Sequence, residues 1–312
     1  MAAPPFVERE SRFGYSRLAM SLPWSFGHPP LIVATATPLR DDGAALDLEA
    51  IGPMVAFLES HGADGVFCCG TTGEGILLTT AERRAAARAF RAATRGRLLV
   101  HAGAQTTAET ETLAADAAEA GADGVAVIPP PYFPLDPGAL TDHLAAAAAA
   151  CAPLPFFVYV FTRRSGYPMP VEVITAVRDR APNLVGLKVS ESPMADVAPF
   201  LQLGLPVLIG SEPLIVPALA SGAVGAVSGL AAAFPDEVRA VLDAPGPNGE
   251  TRLEALRALM ERQPFIPSVK HILGRRATPV RPDVRAPLRP LSVEQATRLD
   301  TSLAELELSA VG

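Results

Sequence analysis

The tetrapeptide Gly62-Ala63-Asp64-Gly65 recurs 59 residues later as Gly121-Ala122-Asp123-Gly124, with an echo in Gly222-Ala223-Val224-Gly225. Each copy joins the end of a helical pattern to the start of a short apolar run. A joint repeated in this way is expected of βα units placed in series, and the spacing corresponds to about two such units. Eight apolar runs follow one another along the chain: Leu31 to Thr37, Gly65 to Cys69, Leu98 to Ala102, Gly124 to Ile128, Phe156 to Val160, Leu184 to Val189, Pro206 to Ile209 and Gly225 to Ser228. They are nearly continuous in apolar character, which predicts parallel strands covered on their outer face.

Helix-length segments lie between these runs. Leu48 to Ser60 stops at His61-Gly62, and Thr107 to Ala120 stops at Gly121. Thr79-Thr80-Ala81-Glu82 has the form of a capping box, in which the first threonine and the glutamate satisfy each other's amides. Pro137, Pro170 and Pro193 sit where helices are expected to start. The pattern predicts an α/β fold, a TIM (β/α)8 barrel over residues 31–244. A doubly wound open sheet is the alternative, but no G-x-G-x-x-G follows the first strand. After Ala244 the alternation ends. Thr251 to Arg262, Val269 to Gly274 and Ser292 to Leu308, the last opening on the capping box Ser292-Val293-Glu294-Gln295, predict a C-terminal helical appendage over 245–312. Residues 1–30 are expected to be a flexible N-terminal tail.

Bulk properties narrow the partners. The net charge is -7 and no basic stripe is present, which argues against nucleic acid. The first thirty residues contain Arg9, Arg12 and Arg17 but no apolar core of a signal peptide. The run Ala145 to Ala150 is too short to span a bilayer, so no membrane association is expected. Cys68, Cys69 and Cys151 are odd in number and lack C-x-x-C spacing, which disfavours a disulfide framework or a zinc site. Cys68 and Cys69, as strand neighbours, are expected to point to opposite faces as packing residues. A reducing, cytoplasmic location is the expectation. The five histidines show no ligand pair, so no metal is expected, and a metal-dependent aldolase is a remote reading.

Only two lysines stand against twenty-four arginines. Lys188 ends the apolar run Leu184 to Val189, whereas Lys270 lies in a helical pattern outside the barrel. A lysine can lose its proton and attack a carbonyl, and an arginine effectively cannot. In a TIM barrel the strand C-termini carry the active site. That rule selects Gly70-Thr71-Thr72-Gly73-Glu74, Pro131-Tyr132-Phe133, Tyr159 with Arg163 and Arg164, Lys188, and Gly210-Ser211-Glu212. His101 lies on the third strand and could face the barrel. For each candidate a bland reading stands beside the chemical one. Gly70 to Gly73 is either an amide nest for a carboxylate or an ordinary turn. Tyr159 is either a proton relay or a satisfied core tyrosine. Arg164 is either a bidentate carboxylate clamp or a solvated charge. Lys188 is either a nucleophile or the ion-pair partner of Glu191.

Thr37-Pro38, Gly70-Thr71-Thr72-Gly73-Glu74, the stretch Gly103 to Glu109, Pro131-Tyr132, Tyr159 with Ser165-Gly166, Gly186-Leu187-Lys188 and Pro287 to Ser292 occur in one order. Together they resemble the dihydrodipicolinate synthase and N-acetylneuraminate lyase family of pyruvate-dependent class I aldolases, over about Leu31 to Leu308. The resemblance implies that Lys188 forms a Schiff base with pyruvate or another 2-keto acid, and that Thr71 and Thr72 bind its carboxylate. It implies Tyr159 as general acid/base, Arg164 as ligand of a second, acidic substrate, and Val227 as a lining position whose carbonyl faces the keto acid. Gly70 belongs to the same binding turn. No cofactor is implied beyond the covalent imine, and the partners implied are a 2-keto acid, an aldehyde and further copies of the chain in a homotetramer or homodimer.

The chain also departs from the family. Phe133 stands where the synthases place a second tyrosine that reaches into a neighbouring subunit. Val160-Phe161-Thr162-Arg163-Arg164 follows Tyr159 where Asn-Val-Pro is usual, and Val189-Ser190-Glu191 follows Lys188 where the synthases show glutamate directly. These departures keep two alternatives in view: a 2-keto-3-deoxy sugar acid aldolase or dehydratase using the same lysine, and a catalytically silent keto-acid-binding barrel.

Overall fold

Eight strands, all parallel, pair in chain order and close on themselves when the first meets the eighth. The computed structural model describes residues 22–276 and 278–306. The strands are β1 (Leu31–Ala34), β2 (Gly65–Cys68), β3 (Arg97–His101), β4 (Gly124–Val127), β5 (Phe156–Val160), β6 (Leu184–Val189), β7 (Val207–Ile209) and β8 (Gly225–Ser228). The covering helices are α1 (Ile51–Ser60), α2 (Thr80–Ala93), α3 (Thr107–Glu119), α4 (Pro137–Cys151), α5 (Val171–Arg180), α6 (Met194–Leu201), α7 (Ile215–Ala220) and α8 (Pro235–Asp243), with one further short helix, Thr162–Ser165, between β5 and α5. Then come α9 (Pro247–Glu261), α10 (Phe265–Arg275) and α11 (Val293–Glu305), the helical appendage. The closed barrel decides against the open sheet.

The near-continuous apolar runs are explained by two cores on either side of the strands. Leu31 and Val33 of β1 pack outward against the helices, while Ile32 and Ala34 pack inward with Phe67, Leu99, Phe157 and Leu208. Both sets are fully or almost fully buried, and each of the larger side chains among them contributes about 1.5–3 kcal/mol relative to exposure. The repeated tetrapeptide has a physical role as well. Asp64 accepts a hydrogen bond from the Leu31 amide (2.8 Å), and Asp123 accepts one from the Leu98 amide (2.9 Å). Each aspartate thereby satisfies the open N-terminal end of the preceding strand.

The capping boxes form as expected. Thr79 Oγ1 accepts from the Glu82 amide and Glu82 Oε2 accepts from the Thr79 amide, with the same reciprocity at Ser292 and Gln295. Other expectations are corrected. The first strand stops at Ala34 because the chain turns at Pro38 into a two-stranded hairpin, Leu39–Arg40 with Ala45–Leu46. Its turn uses left-handed backbone at Asp41, Asp42 and Gly43. Cys68 and Cys69 do not face opposite sides. Cys69 has left the strand with φ 56°, and both thiols lie in the outer core. A loose tail through Pro30 does not hold for residues 22–30, since Leu22 and Trp24 plug the barrel's N-terminal end and Trp24 stacks on Phe157 at 5.6 Å. Arg9, Arg12 and Arg17, and the end of the last expected helix at residues 307–308, lie outside the described residues.

One irregularity positions the chemistry. The register between β5 and β6 runs Phe156 to Leu184 and then Phe157 to Gly186, so β6 carries a bulge at Val185. Leu184 faces the outer core. Strict alternation from it would put Lys188 outward too, because the side-chain period is two. The extra residue inverts the phase. Leu187 and Val189 then point outward, and Lys188 comes opposite Tyr159 inside the barrel. Gly186 makes this possible, for a Cβ there would meet the Phe157 ring at 2.8 Å.

Candidate active site

A cavity of about 510 Å³ opens at the C-terminal ends of the strands. Thr71, Thr72, Tyr159, Arg164, Lys188 and Val227 all line it, so one site gathers six of the seven residues singled out in the sequence. Gly70 does not line it. That residue packs behind the turn, where a Cβ would sit 2.7 Å from the Phe67 ring.

Lys188 stands at the floor with 5 % of its surface exposed. Its ammonium lies 3.5 Å from the centre of the Tyr159 ring, a cation–π contact, and Nζ donates to Ser190 Oγ at 2.8 Å. Burial pushes its pKa below the ordinary lysine value, against the opposing pull of Tyr159 and Glu212. An amine held that way reaches its neutral, nucleophilic form at lower pH than a surface lysine. The alternative pairing with Glu191 does not occur: Glu191 Oε1 accepts from the Thr162 amide at 2.7 Å and caps the short helix Thr162–Ser165.

Opposite the lysine, the β2–α2 turn closes through Glu74 N–H to Thr71 O and Gly75 N–H to Gly70 O, both 3.2 Å. Among the described residues the amides of Thr71 and Thr72 donate to no other group, so both remain free for an anion. Gly229 leaves room for this turn, since a Cβ there would meet Thr72 Oγ1 at 2.9 Å. Tyr159 O–H lies 3.4 Å from Thr71 Oγ1, at the long end of hydrogen bonding. His101 packs edge-on against Tyr159 and Phe67 inside the barrel. Burial and the nearby Arg83 hold its pKa well below the usual histidine range, which keeps it neutral.

Two arginines stand on one side of the cavity mouth. Arg163 and Arg164 are exposed on the short helix after β5, and neither has an ion-pair partner among the described residues, although Arg164 lies over the Phe161 ring. Sequence reasoning missed the opposite wall. There Arg257 of α9 pairs with Glu212 (3.0 Å) and Glu261 (2.9 Å) and stacks on Phe265 of α10. Buried Glu212 also accepts from Ser228 Oγ (2.8 Å) and from the Leu230 amide (2.9 Å). Glu212 follows a strand end, so its place was readable. Arg257 and Phe265 lie on the appendage, and no local pattern points from there to the barrel mouth. Ser190 likewise carries no motif. Among the described residues, no three His, Cys, Asp or Glu side chains are grouped as ligands for a metal ion, and no helix is long and apolar enough to cross a membrane.

A model of the Dihydrodipicolinate synthetase family matches residues 29–306. An uncharacterized DapA-like lyase of Halobacterium salinarum is 33% identical over 291 residues, covering 90% of this chain and 93% of that protein. The 4-hydroxy-tetrahydrodipicolinate synthase of Chlorobium luteolum is 31% identical, covering 88% of this chain and 96% of that protein. Human N-acetylneuraminate lyase is 34% identical over 63% of this chain and 64% of its own length. Among solved structures, a prophage protein of the dihydrodipicolinic acid synthase family from E. coli K12, solved in complex with pyruvate, superposes with a TM-score of 0.84 at 25% identity, covering 90% of this chain and 99% of that one.

Proposed function

The chain belongs to the dihydrodipicolinate synthetase family and is a lyase of the class I aldolase type, and on that footing we propose that it condenses or cleaves pyruvate with an aldehyde through an imine on Lys188. The observation that carries this reading is the buried amine at the cavity floor, facing the two free amides of Thr71 and Thr72. A 2-keto acid laid between them has its carboxylate on the amides and its keto carbon toward Nζ. Neutral Lys188 attacks that carbon, the carbonyl oxygen takes one proton from the amine and one from solvent and leaves as water, and the protonated imine becomes an electron sink for the adjacent carbon. That carbon then loses a proton to form an enamine, which adds to an aldehyde, or its bond to the departing aldehyde breaks. Tyr159, 3.4 Å from Thr71 Oγ1, is the proton carrier of this reading, and Val227 lines the site beside the keto acid. The unpaired Arg163 and Arg164 favour an aldehyde with an anionic group, such as a carboxylate.

A second reading, a 2-keto-3-deoxy sugar acid aldolase or dehydratase, draws support from Phe133, which lacks the hydroxyl that the synthases place there. The two share the lysine and differ in the partner aldehyde. Membership in a lyase family leaves the silent keto-acid-binding barrel without support. Borohydride reduction in the presence of pyruvate is expected to add mass to the peptide containing Lys188, and its absence would refute the imine. Turnover with aspartate semialdehyde at ordinary enzymatic rates would decide against the sugar-acid reading. We further propose that copies of the chain associate as a homodimer or homotetramer, burying Tyr132 and Phe133, which are 81% and 70% exposed in the single chain. Sedimentation as a monomer alone would contradict this. The three buried free cysteines fit a reducing, cytoplasmic setting, which cell fractionation tests.

A further inference from the structure

Ser190 follows β6 and, two residues beyond Lys188, shares its inward face. Its position is fixed from both sides: its amide donates to Val160 O of β5 (2.9 Å), and the Gly210 amide after β7 donates to Val189 O (2.6 Å). Its hydroxyl accepts the hydrogen bond of Lys188 Nζ at 2.8 Å. Space for this pair is kept open by Gly210, where a Cβ would lie 2.0 Å from Ser190 Oγ and 3.2 Å from Lys188 Nζ. Tyr159 offers Nζ the face of its ring, and its hydroxyl is directed to Thr71. Phe133 offers no hydroxyl at all. Among the described residues, Ser190 supplies the hydroxyl at 2.8 Å from the reacting nitrogen, and it also lines the cavity.

We infer that Ser190 is a further catalytic residue, the relay through which Lys188 loses its protons while the imine forms. The role rests on the imine reading above. As the C–N bond forms, the carbonyl π pair moves to oxygen. One N–H proton passes to Ser190 Oγ while the serine proton goes, directly or through cavity water, to the new oxygen, giving the carbinolamine. A proton then passes from solvent through Ser190 to the carbinolamine hydroxyl, which leaves as water while the nitrogen lone pair forms the C=N bond, and the nitrogen keeps its remaining hydrogen as the protonated imine. Ser190 ends as it began, and beyond the keto acid only one solvent proton is taken up, the one the ammonium released on becoming neutral. The groups facing Lys188 are Tyr159 on β5, neutral His101 on β3, and Glu212 after β7, itself held by Arg257 and Ser228. Of these, Tyr159 also acts on Nζ and remains the proton carrier on the substrate side, while Ser190 Oγ holds the 2.8 Å contact to Nζ itself.

The test is the rate of imine formation with pyruvate, trapped by borohydride at timed intervals across pH, in the full-length wild type and in Ser190→Ala. The variant removes one oxygen from a loop held by backbone bonds, and its melting temperature is expected to stay near that of the wild type. Its plateau rate should fall about 10²-fold, within the range of a lost proton relay. The acid limb should move to lower pH, because the ammonium form loses an acceptor that favoured it. An unchanged plateau rate would overturn the inference. So would a slower rate accompanied by a lower melting temperature and an unmoved acid limb, which marks a structural role. If the wild type forms no adduct, the imine reading fails and this role fails with it.

Discussion

Lys270 is the chain's other lysine, and the structure places it directly beneath the turn that carries Thr71 and Thr72. Lys270 and Glu74 are fully buried side chains whose Nζ and Oε1 approach to 2.5 Å. Glu74 Oε2 accepts from the Arg285 amide (2.6 Å), and Lys270 Nζ donates to Asp283 O (2.6 Å). Oε1 accepts no aligned hydrogen bond, so the ammonium charge is what neutralises it. Burial lowers the Lys270 pKa, while Glu74 opposes that shift. Lys270→Met would strand a carboxylate in the interior, and Glu74→Gln would strand an ammonium. Removing one partner of a buried pair costs about 3–5 kcal/mol. For a folded unit of this size, with unfolding entropy of about 2.1 cal/mol/K per residue, that is a fall of roughly 5–8 °C in melting temperature. The double variant Glu74→Gln/Lys270→Met removes both charges and should recover most of the loss, to within about 1–2 kcal/mol of the wild type, because a neutral pair has no ionic desolvation to offset. Calorimetric melting of the four proteins forms a complete cycle. Single variants within 1 °C of the wild type, or a double variant as unstable as the worse single, would refute the view that charge compensation holds this pair.

Three further outcomes are expected. Gly210→Ala should abolish adduct formation with pyruvate while the protein stays folded, because the added carbon falls 2.0 Å from Ser190 Oγ; mass spectrometry after borohydride reduction checks this, and a normal adduct yield would show that the loop yields without cost. Arg164→Ala should raise KM for an anionic aldehyde about 10–100-fold, the loss of a charge-assisted hydrogen bond, with little change in single-turnover imine formation from pyruvate; equal loss in both would contradict a role confined to the second substrate. Acid should destabilise the fold through Asp123 and Glu82. Burial raises both carboxyls, but the Leu98 amide and Arg97 at Asp123, and Arg285 and Thr79 at Glu82, more than offset it and leave their pKa values below ordinary. Groups with depressed folded values contribute stability that is present above their unfolded pKa and is lost as pH falls through the folded one. Melting temperature should therefore decline below about pH 4, and Asp123→Asn should flatten that decline.

The fold was legible because its units are local. Each strand is a short apolar run between a helix stop and a helix start, and the glycines at 62, 121 and 222 mark those joints in any context. The strand bounds expected for Phe156 to Val160 and Leu184 to Val189 match β5 and β6. Helices were harder to bound where proline misleads. α10 begins at Phe265 rather than Val269, because Pro267 sits in its first turn, where no intrahelical donor is required. The hairpin after Pro38 escaped notice because its strands are two residues each, too short to show a period.

The candidate site divides along the same line. From sequence alone, the strand-end rule places Lys188, Tyr159, Thr71, Thr72 and Arg164 near one mouth, since a parallel barrel presents all strand C-termini on one side. What that rule could not supply is the direction in which Lys188 points. Alternation counted from Leu184 turns it outward, and only the bulge at Val185, packed against Phe157 across the missing side chain of Gly186, brings it opposite Tyr159. Nor could local pattern reveal that Ser190 meets Nζ, that Arg257 and Phe265 return from the appendage to wall the cavity, or that Lys270 lies beneath Glu74. These contacts join residues distant along the chain, or hinge on one inserted residue in a register. Period and composition report what each segment prefers, and only closure of the barrel decides which side chains come to share a space.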